Sequence, residues 1–377
     1  MRRDVGLCLS LMTACSLACG GGAGVGPGGE PGATGAPGAQ GPRGEPGPAG
    51  SYARIKVVSP ADSPQASGEA LRTTLASITE ASADQPWLVF VEPGVFDLGS
   101  EGLRMRPYIH LQGSGQGLTV VRSHAGNATL QAADNTVLRE LSVEHTGGSD
   151  NAVALSTSAV GFQAYDVVVS AHDGAVRTVA FESRATQGVA DYSRLEGFAV
   201  STRGDVMGFE GEDSSVRFTH SSFRGEGGGR ALGVSVRGGG VELWDSFATG
   251  TGGTESEGIE AGSSSVTLVR SDVSAQQAST ATGVRLTDSH ASIRDSTLLG
   301  AGDSEGHALD TVRSGVGPFH VDVQRSTLAG DTHGAEGYIV HVSGSLVRGG
   351  HVEGEGSVAC SGAYDDNFNS PAAPACP

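Results

Sequence analysis

The strongest constraint on this chain is an internal repeat of about 25 residues. Five segments line up: VRFTHSSF from Val216, VELWDSF from Val241, VTLVRSDV from Val266, ASIRDSTL from Ala291 and VDVQRSTL from Val321. Their starts lie 25, 25, 25 and 30 residues apart. Four of the five carry apolar or small residues at offsets 0, 2 and 7, while the second reads as one residue shorter, ending at Phe247. A second ladder runs in phase with the first through Val234, Ile259, Val284 and Leu309, and Val340 reads as its continuation. Thr136/Leu138/Val143 and Phe162/Ala164/Val169 keep the same offsets earlier in the chain, whereas Val189 to Phe198 reads as a degraded rung.

Two short alternating strands per period, separated by Gly, Ser and Asp turns, cannot bury their apolar faces alone. Stacked on their neighbours they form a continuous core, which is the logic of a β-solenoid. The runs are β-branched and lack i, i+3, i+4 periodicity, so a helical solenoid is excluded. At about 4.8 Å per coil, some eleven coils from Trp87 onward predict a rod of roughly 50 Å. The amphipathic stretch Ser67–Ser82, with Leu71, Leu75 and Ile78 on one face and Pro86 beyond it, predicts a helix that covers the open first coil.

Composition now has a meaning. The chain holds 60 Gly among 377 residues, well above the usual share of about 7%. Hydrophobic residues at 37% and charged residues at 18% argue for a folded body rather than disorder. The formal charge of −18 repels phosphate backbones and argues against nucleic acid as a partner.

Part of the glycine excess follows a second period. From Gly26 to Gly50 glycine occupies every third position, with proline between, giving eight Gly-X-Y triplets. Only a hydrogen fits at the axis of three wound chains, so a strict period of three is the collagen signature. The segment resembles the collagen-like repeats of bacterial surface proteins. It implies a stalk of roughly 75 Å and a homotrimer, with a non-trimerising polyproline-II linker as the alternative.

The first residues, MRRDVGLCLSLMTACSLACGGG, combine a basic start with an apolar run too short for a span of about 20 residues. They resemble a bacterial lipoprotein signal, with Cys19, or alternatively Cys15, as the lipidated residue. The expected organisation is a signal over 1–18, a Gly-rich tether over 19–25, a collagen-like repeat over 26–50, a β-helix over 51–358 and a tail over 359–377. Such a protein would be exported to the cell envelope, as an outer-membrane lipoprotein or at the cell surface, and would touch the membrane through its lipid alone. In that oxidising compartment the remaining pair, Cys360 and Cys376, reads as a disulfide.

PWLVFVEPGVFDLGSEGLRMRPYIHLQGSGQGLTVVRS resembles the opening of right-handed parallel β-helix proteins of the pectate-lyase-like type. Pro93-Gly94-Val95-Phe96 and Leu111-Gln112-Gly113-Ser114-Gly115 carry the resemblance, which covers about residues 86–358. The fold class it implies is all-β: a right-handed parallel β-helix with an N-terminal capping helix, preceded by the short Gly-X-Y stalk. The tail resembles the disulfide-closed ends of bacterial collagen-like envelope proteins.

This fold hosts lyases, hydrolases, esterases and adhesins, so chemistry must be argued from residues. Asn151 to Leu155 reads NAVAL, near the QAVAL of pectin esterases, but the companion motifs are absent and the stretch reads as framework. Arg54-Ile55-Lys56 lies before the first coil, so it cannot supply a polygalacturonase's late RIK motif. His172-Asp173-Gly174 and Glu305-Gly306-His307 are partial echoes and read as turns. The densest acidic group is Asp205, Glu210, Glu212 and Asp213, flanked by Arg203 and Arg217. Asp205, Asp213, Arg203 and Arg217 are the candidate catalytic residues if the chain is an enzyme, in the lyase pattern of carboxylates for Ca²⁺ and a basic proton abstractor. Asp365-Asp366-Asn367 offers another Ca²⁺ ligand set, against a hydrogen-bonded turn. No metal ligand set of Cys and His, and no other cofactor, is expected. His290 and His320 should face outward. The leading expectation is a structural or adhesive surface module that binds polysaccharide; the alternative is a polysaccharide lyase or glycoside hydrolase.

Overall fold

The chain divides into two units, Met1–Gly50 and Ser51–Pro377. The computed structural model describes residues 54–147, 150–186, 188–370 and 376–377. The expected signal, lipidation sites Cys15 and Cys19, tether and Gly-X-Y segment lie outside the described residues.

Ser51–Pro377 is a right-handed-type parallel β-solenoid of about ten turns. Each coil contributes to three sheets. Strand Asp205–Thr219 runs through sheet 1, bends at Asp213 and continues into sheet 2; Ser222–Gly227 then belongs to sheet 3. Arg230–Trp244 with Phe247–Thr251, and Glu255–Val269 with Asp272–Gln276, repeat the pattern. The ladders are parallel and in register, so Val216, Val241, Val266, Ala291, Val321 and Val340 stack in one inward column of sheet 2. Alternation turns these side chains into a common core, and nearly all are fully buried.

Three sequence expectations are corrected by the register. The second segment is not short: Ala248, not Phe247, aligns with Phe223 and Val273, and Phe247 is exposed. An alanine in an inward slot beside an outward phenylalanine misleads a hydrophobicity count. Val340 does not extend the Val234 ladder; it pairs with Val321, and Thr332 follows Leu309. The long loop at Val312–Phe319 shifts the spacing there. The stretch read as degraded is the regular strand Val189–Ser201. It carries Tyr192 into an aromatic core with Phe181, Phe209, Phe218 and Phe223.

The helix spans Pro64–Ala76 rather than Ser67–Ser82. Ser63 caps it, accepting from the Ala66 N–H at 3.2 Å, and Pro64 starts it without wasting an N–H. It ends early because the Ser77 hydroxyl donates back to the Thr74 carbonyl at 2.6 Å. Leu71, Leu75 and Ile78 join the core beside Val58 and Phe96.

Two devices hold successive coils together. At the turn from sheet 2 to sheet 3, Ser221, Ser246, Ser271, Ser296, Ser326 and Ser345 form a buried column. From Ser246 onward each hydroxyl accepts the backbone N–H of the preceding coil's serine at 3.0–3.2 Å, and the Ser221 hydroxyl accepts that of Leu195 at 3.2 Å. Each serine from Ser221 to Ser326 follows a residue with φ near +50°: His220, Asp245, Arg270, Asp295 and Arg325. Their side chains pair along the surface, as in Asp245 with Arg270 and Asp295 with Arg325, each bidentate at 2.7 Å. At the corner between sheets 3 and 1 the backbones nearly touch. A Cβ on Gly250 would lie 2.3 Å from the Ala231 carbonyl oxygen and 2.4 Å from that of Glu257. Glycine is there because no side chain fits, not because of φ. Beyond the last coil, Cys360 and Cys376 are joined by a disulfide, their Cα atoms 5.0 Å apart.

Candidate functional site

Alternation along sheet 1 turns one side chain per coil outward, giving the column Glu182, Glu210, Ser235, Glu260, Arg285, Asp310 and His333, half-buried apart from the buried Ser235. Opposite charges one coil apart are held at ladder spacing. Arg177 contacts both Glu182 and Glu210. Arg184 reaches Glu182 and Glu212, each at 2.9 Å. Arg230 reaches Glu260 at 2.9 Å, and Arg285 reaches Asp310 at 3.3 Å.

Beside this column lies a second, mostly apolar one: Ala128, Val153, Val179, Met207 and Leu232 cluster apart from the main core. Glu257 occupies the next place in that column, between Leu232 and Thr282. It is 1% exposed. Arg285 approaches it at 2.7 Å and Arg230 at 3.4 Å. Burial, together with the nearby Glu260 charge, pushes its carboxyl up to about 7 against the pull of the two guanidinium groups. Glu182 shows the opposite balance: burial raises its carboxyl, but Arg177 and Arg184 together bring it below the usual glutamate range.

At the bend from sheet 1 to sheet 2 a cleft of about 460 Å³ opens. Glu212, Asp213, Arg237 and Glu260 bring three carboxylates and one guanidinium to it. Gly238, at φ +67°, leaves room: a Cβ there would stand 2.3 Å from Asp213 Oδ1. Glu260 is held by Arg230, by the Ser235 hydroxyl at 3.2 Å and by Arg237 at 3.8 Å. The Asp213 carboxylate is exposed and, among the described residues, enters no hydrogen bond or ion pair. A loosely held carboxylate beside two tethered ones suits proton transfer at a polar ligand.

The structure separates the four candidate catalytic residues. Asp213 lies in the cleft. Asp205 starts the same strand, eight residues away, roughly 25 Å along the chain, with Arg230 at 4.0 Å. Arg217 points from sheet 2 to Glu242 at 2.7 Å and Asp191 at 3.3 Å. Arg203 sits in the turn before the strand, its N–H on the Ser201 hydroxyl. Proximity in sequence does not bring the four together, because a strand carries neighbours apart. Arg237, Glu257 and Glu260 were not singled out in the sequence. Stacking the 25-residue periods places Arg237 over Glu212 and Gly238 over Asp213, a signal that pairwise motif searching misses.

Asn151 begins a strand whose next four residues are buried, as framework would be. Asp365 accepts from the N–H groups of Asn367 and Asn369 at 2.9 and 2.8 Å, which makes it a turn. His290 and His320 are exposed and stack, ring centroids 6.0 Å apart. Among the described residues no group of three or more His, Cys, Asp or Glu side chains is placed to hold a metal ion.

No family model matches the chain, and no curated protein matches it significantly. Solved structures do. The catalytic unit of an α-1,3-glucanase from Streptomyces thermodiastaticus is similar over 81% of this chain and 61% of its own, at 14% identity and a TM-score of 0.52. This chain therefore spans less than two thirds of that enzyme unit. The A-module of a mannuronan C-5 epimerase from Azotobacter vinelandii matches over 81% of this chain and 96% of its own, at 14% identity and a TM-score of 0.40. A pectin methylesterase from carrot matches over 79% and 74%, at 12% identity and a TM-score of 0.31. At these identities the likeness is one of fold.

Proposed function

We propose that the Ser51–Pro377 unit is a carbohydrate-active β-helix that takes a polysaccharide strand at the cleft of Glu212, Asp213, Arg237 and Glu260. The observation that carries this reading is the convergence of three carboxylates on one cleft at the edge of sheet 1. The neighbouring structures, among them a glucanase and a pectin methylesterase, support it. Hydrolysis needs one carboxyl to protonate the leaving oxygen and another to activate water. Asp213 has no competing partner among the described residues and serves as base. Glu212, on the same bend, is the second carboxyl and serves as acid once it takes up a proton and leaves Arg184. Glu260 and Arg237 orient the sugar hydroxyl groups. We assign no metal ion or cofactor to this reaction.

We place this activity at the cell envelope, on the expectation of a lipoprotein-type signal with Cys19 or Cys15 as anchor and of a collagen-like segment over 26–50. A second reading, a non-enzymatic adhesive module, is favoured by one observation. Glu212 and Glu260 are both tied to arginines, as in a purely structural charge ladder.

Incubating the protein with neutral and acidic polysaccharides, and assaying new reducing ends and unsaturated uronides, separates the two. Turnover that falls at least 100-fold in Asp213→Asn and Glu212→Gln supports the enzyme. Retention of a polysaccharide without turnover supports the adhesive module. Turnover unaffected by both substitutions sinks the cleft as the site.

A further inference from the structure

The first strand of the solenoid, Arg54–Val58, pairs with Trp87–Val91 and has no second ladder partner among the described residues. Its alternate residues face opposite ways. Val58 enters the core, and Arg54 and Lys56 lie over the Trp87 ring at 5.5 and 5.7 Å. Ile55 and Val57 are therefore on the outer surface, where they are 56% and 57% exposed. Ile55 stacks on Leu88 and Val57 on Phe90. Leu88 and Phe90 lie on the same side, because Val89 and Val91 occupy the core; Leu88 is buried and Phe90 half-buried beneath the exposed pair. The result is a two-by-two apolar patch on the outer face of the first two rungs. On the third rung the same positions carry His110 and Gln112, and no two consecutive rungs repeat the apolar pairing among the described coils.

An exposed apolar patch on one end of a polar solenoid marks a contact surface. The chain names the partner. The Gly-X-Y run ends at Gly50, five residues before Ile55. Glycine at every third position is demanded only when three chains share an axis. Five residues span at most about 18 Å. Where three chains share an axis up to Gly50, chain length alone keeps each copy's Ile55 within that distance of its own Gly50. Association at the patch is then nearly intramolecular, and the two contacts reinforce each other.

We propose that Ile55 and Val57, backed by Leu88 and Phe90, form the seam through which three copies of this chain join where the Gly-X-Y segment meets the solenoid. The test is sedimentation equilibrium of the full chain in density-matched detergent. The wild type should sediment at three times the chain mass. Ile55→Glu combined with Val57→Glu should weaken association at least tenfold without changing the far-ultraviolet circular dichroism. Should that variant fail to fold, Ile55→Thr with Val57→Thr keeps the β-branched shape and is read in its place. Leu118→Glu, at an exposed leucine elsewhere, should leave the trimer intact. A monomeric wild type overturns the proposal, as does a seam variant that associates as tightly as the wild type, or a Leu118 variant that weakens it equally.

Discussion

Glu257 shows how one residue departs from the rule of its column. Four preceding coils place Val153, Val179, Met207 and Leu232 at its position, and it brings a carboxyl into the same buried place. Its carboxyl stands at about 7 when folded, against about 4.5 ordinarily. The sign follows directly. Between pH 4.5 and 7 the folded state keeps a proton that the unfolded chain has released, so this group's contribution is full below the window and is lost as pH rises through it. Replacing Glu257 by Gln should therefore remove a downward slope of stability with pH. The thermal midpoint of the variant relative to wild type should climb between pH 4.5 and 7 and level off above. A difference that stays flat across that window, measured by circular dichroism melts, would contradict the burial argument. The column was legible in the sequence only after its register was known. Glu257 reads as one more acidic residue in GTESEGIEAG, and nothing local marks it as enclosed.

At the scale of an element, the corner between sheets 3 and 1 limits what the coil can accept. Gly250→Ala should destabilise the solenoid by about 3 kcal/mol or more, because its Cβ meets two backbone oxygens that cannot swing away. Gly262→Ala is the matched control: its Cβ meets only Arg237 Cγ at 3.8 Å. Equal melting temperatures for the two variants would refute the close-approach argument. The strands themselves were readable from alternation, and Val216, Val241, Val266 and Ala291 stack at the spacing the repeat demanded. Phe247 and Ala248 were not, because hydrophobicity alone cannot tell which of two adjacent apolar residues turns inward. Only the ladder partners Phe223 and Val273 decide it.

At the scale of the molecule, a solenoid's stability is a sum of neighbouring contacts, so damage stays local. The Cys360–Cys376 disulfide closes the tail onto the last strand, Ser357–Ser361. A loop of this length contributes about 3 kcal/mol in the chain-entropy account. Cys376→Ser should raise amide hydrogen exchange in Tyr338–Ser343 and Ser357–Ser361, while Asp205–Thr219 stays protected. Uniform loss of protection along the coils would show a cooperative body instead. By itself the sequence determined the all-β repeat, the 25-residue period of the coil and the Gly-X-Y period, because periodicity is a property of the chain alone. The tertiary structure decided which acidic groups meet. Asp205 and Asp213 are eight residues apart on one strand and diverge, whereas Glu212, Arg237 and Glu260 come from three successive coils and converge. Stacking brings together residues one period apart, and it sends neighbours along a strand to opposite ends of the sheet.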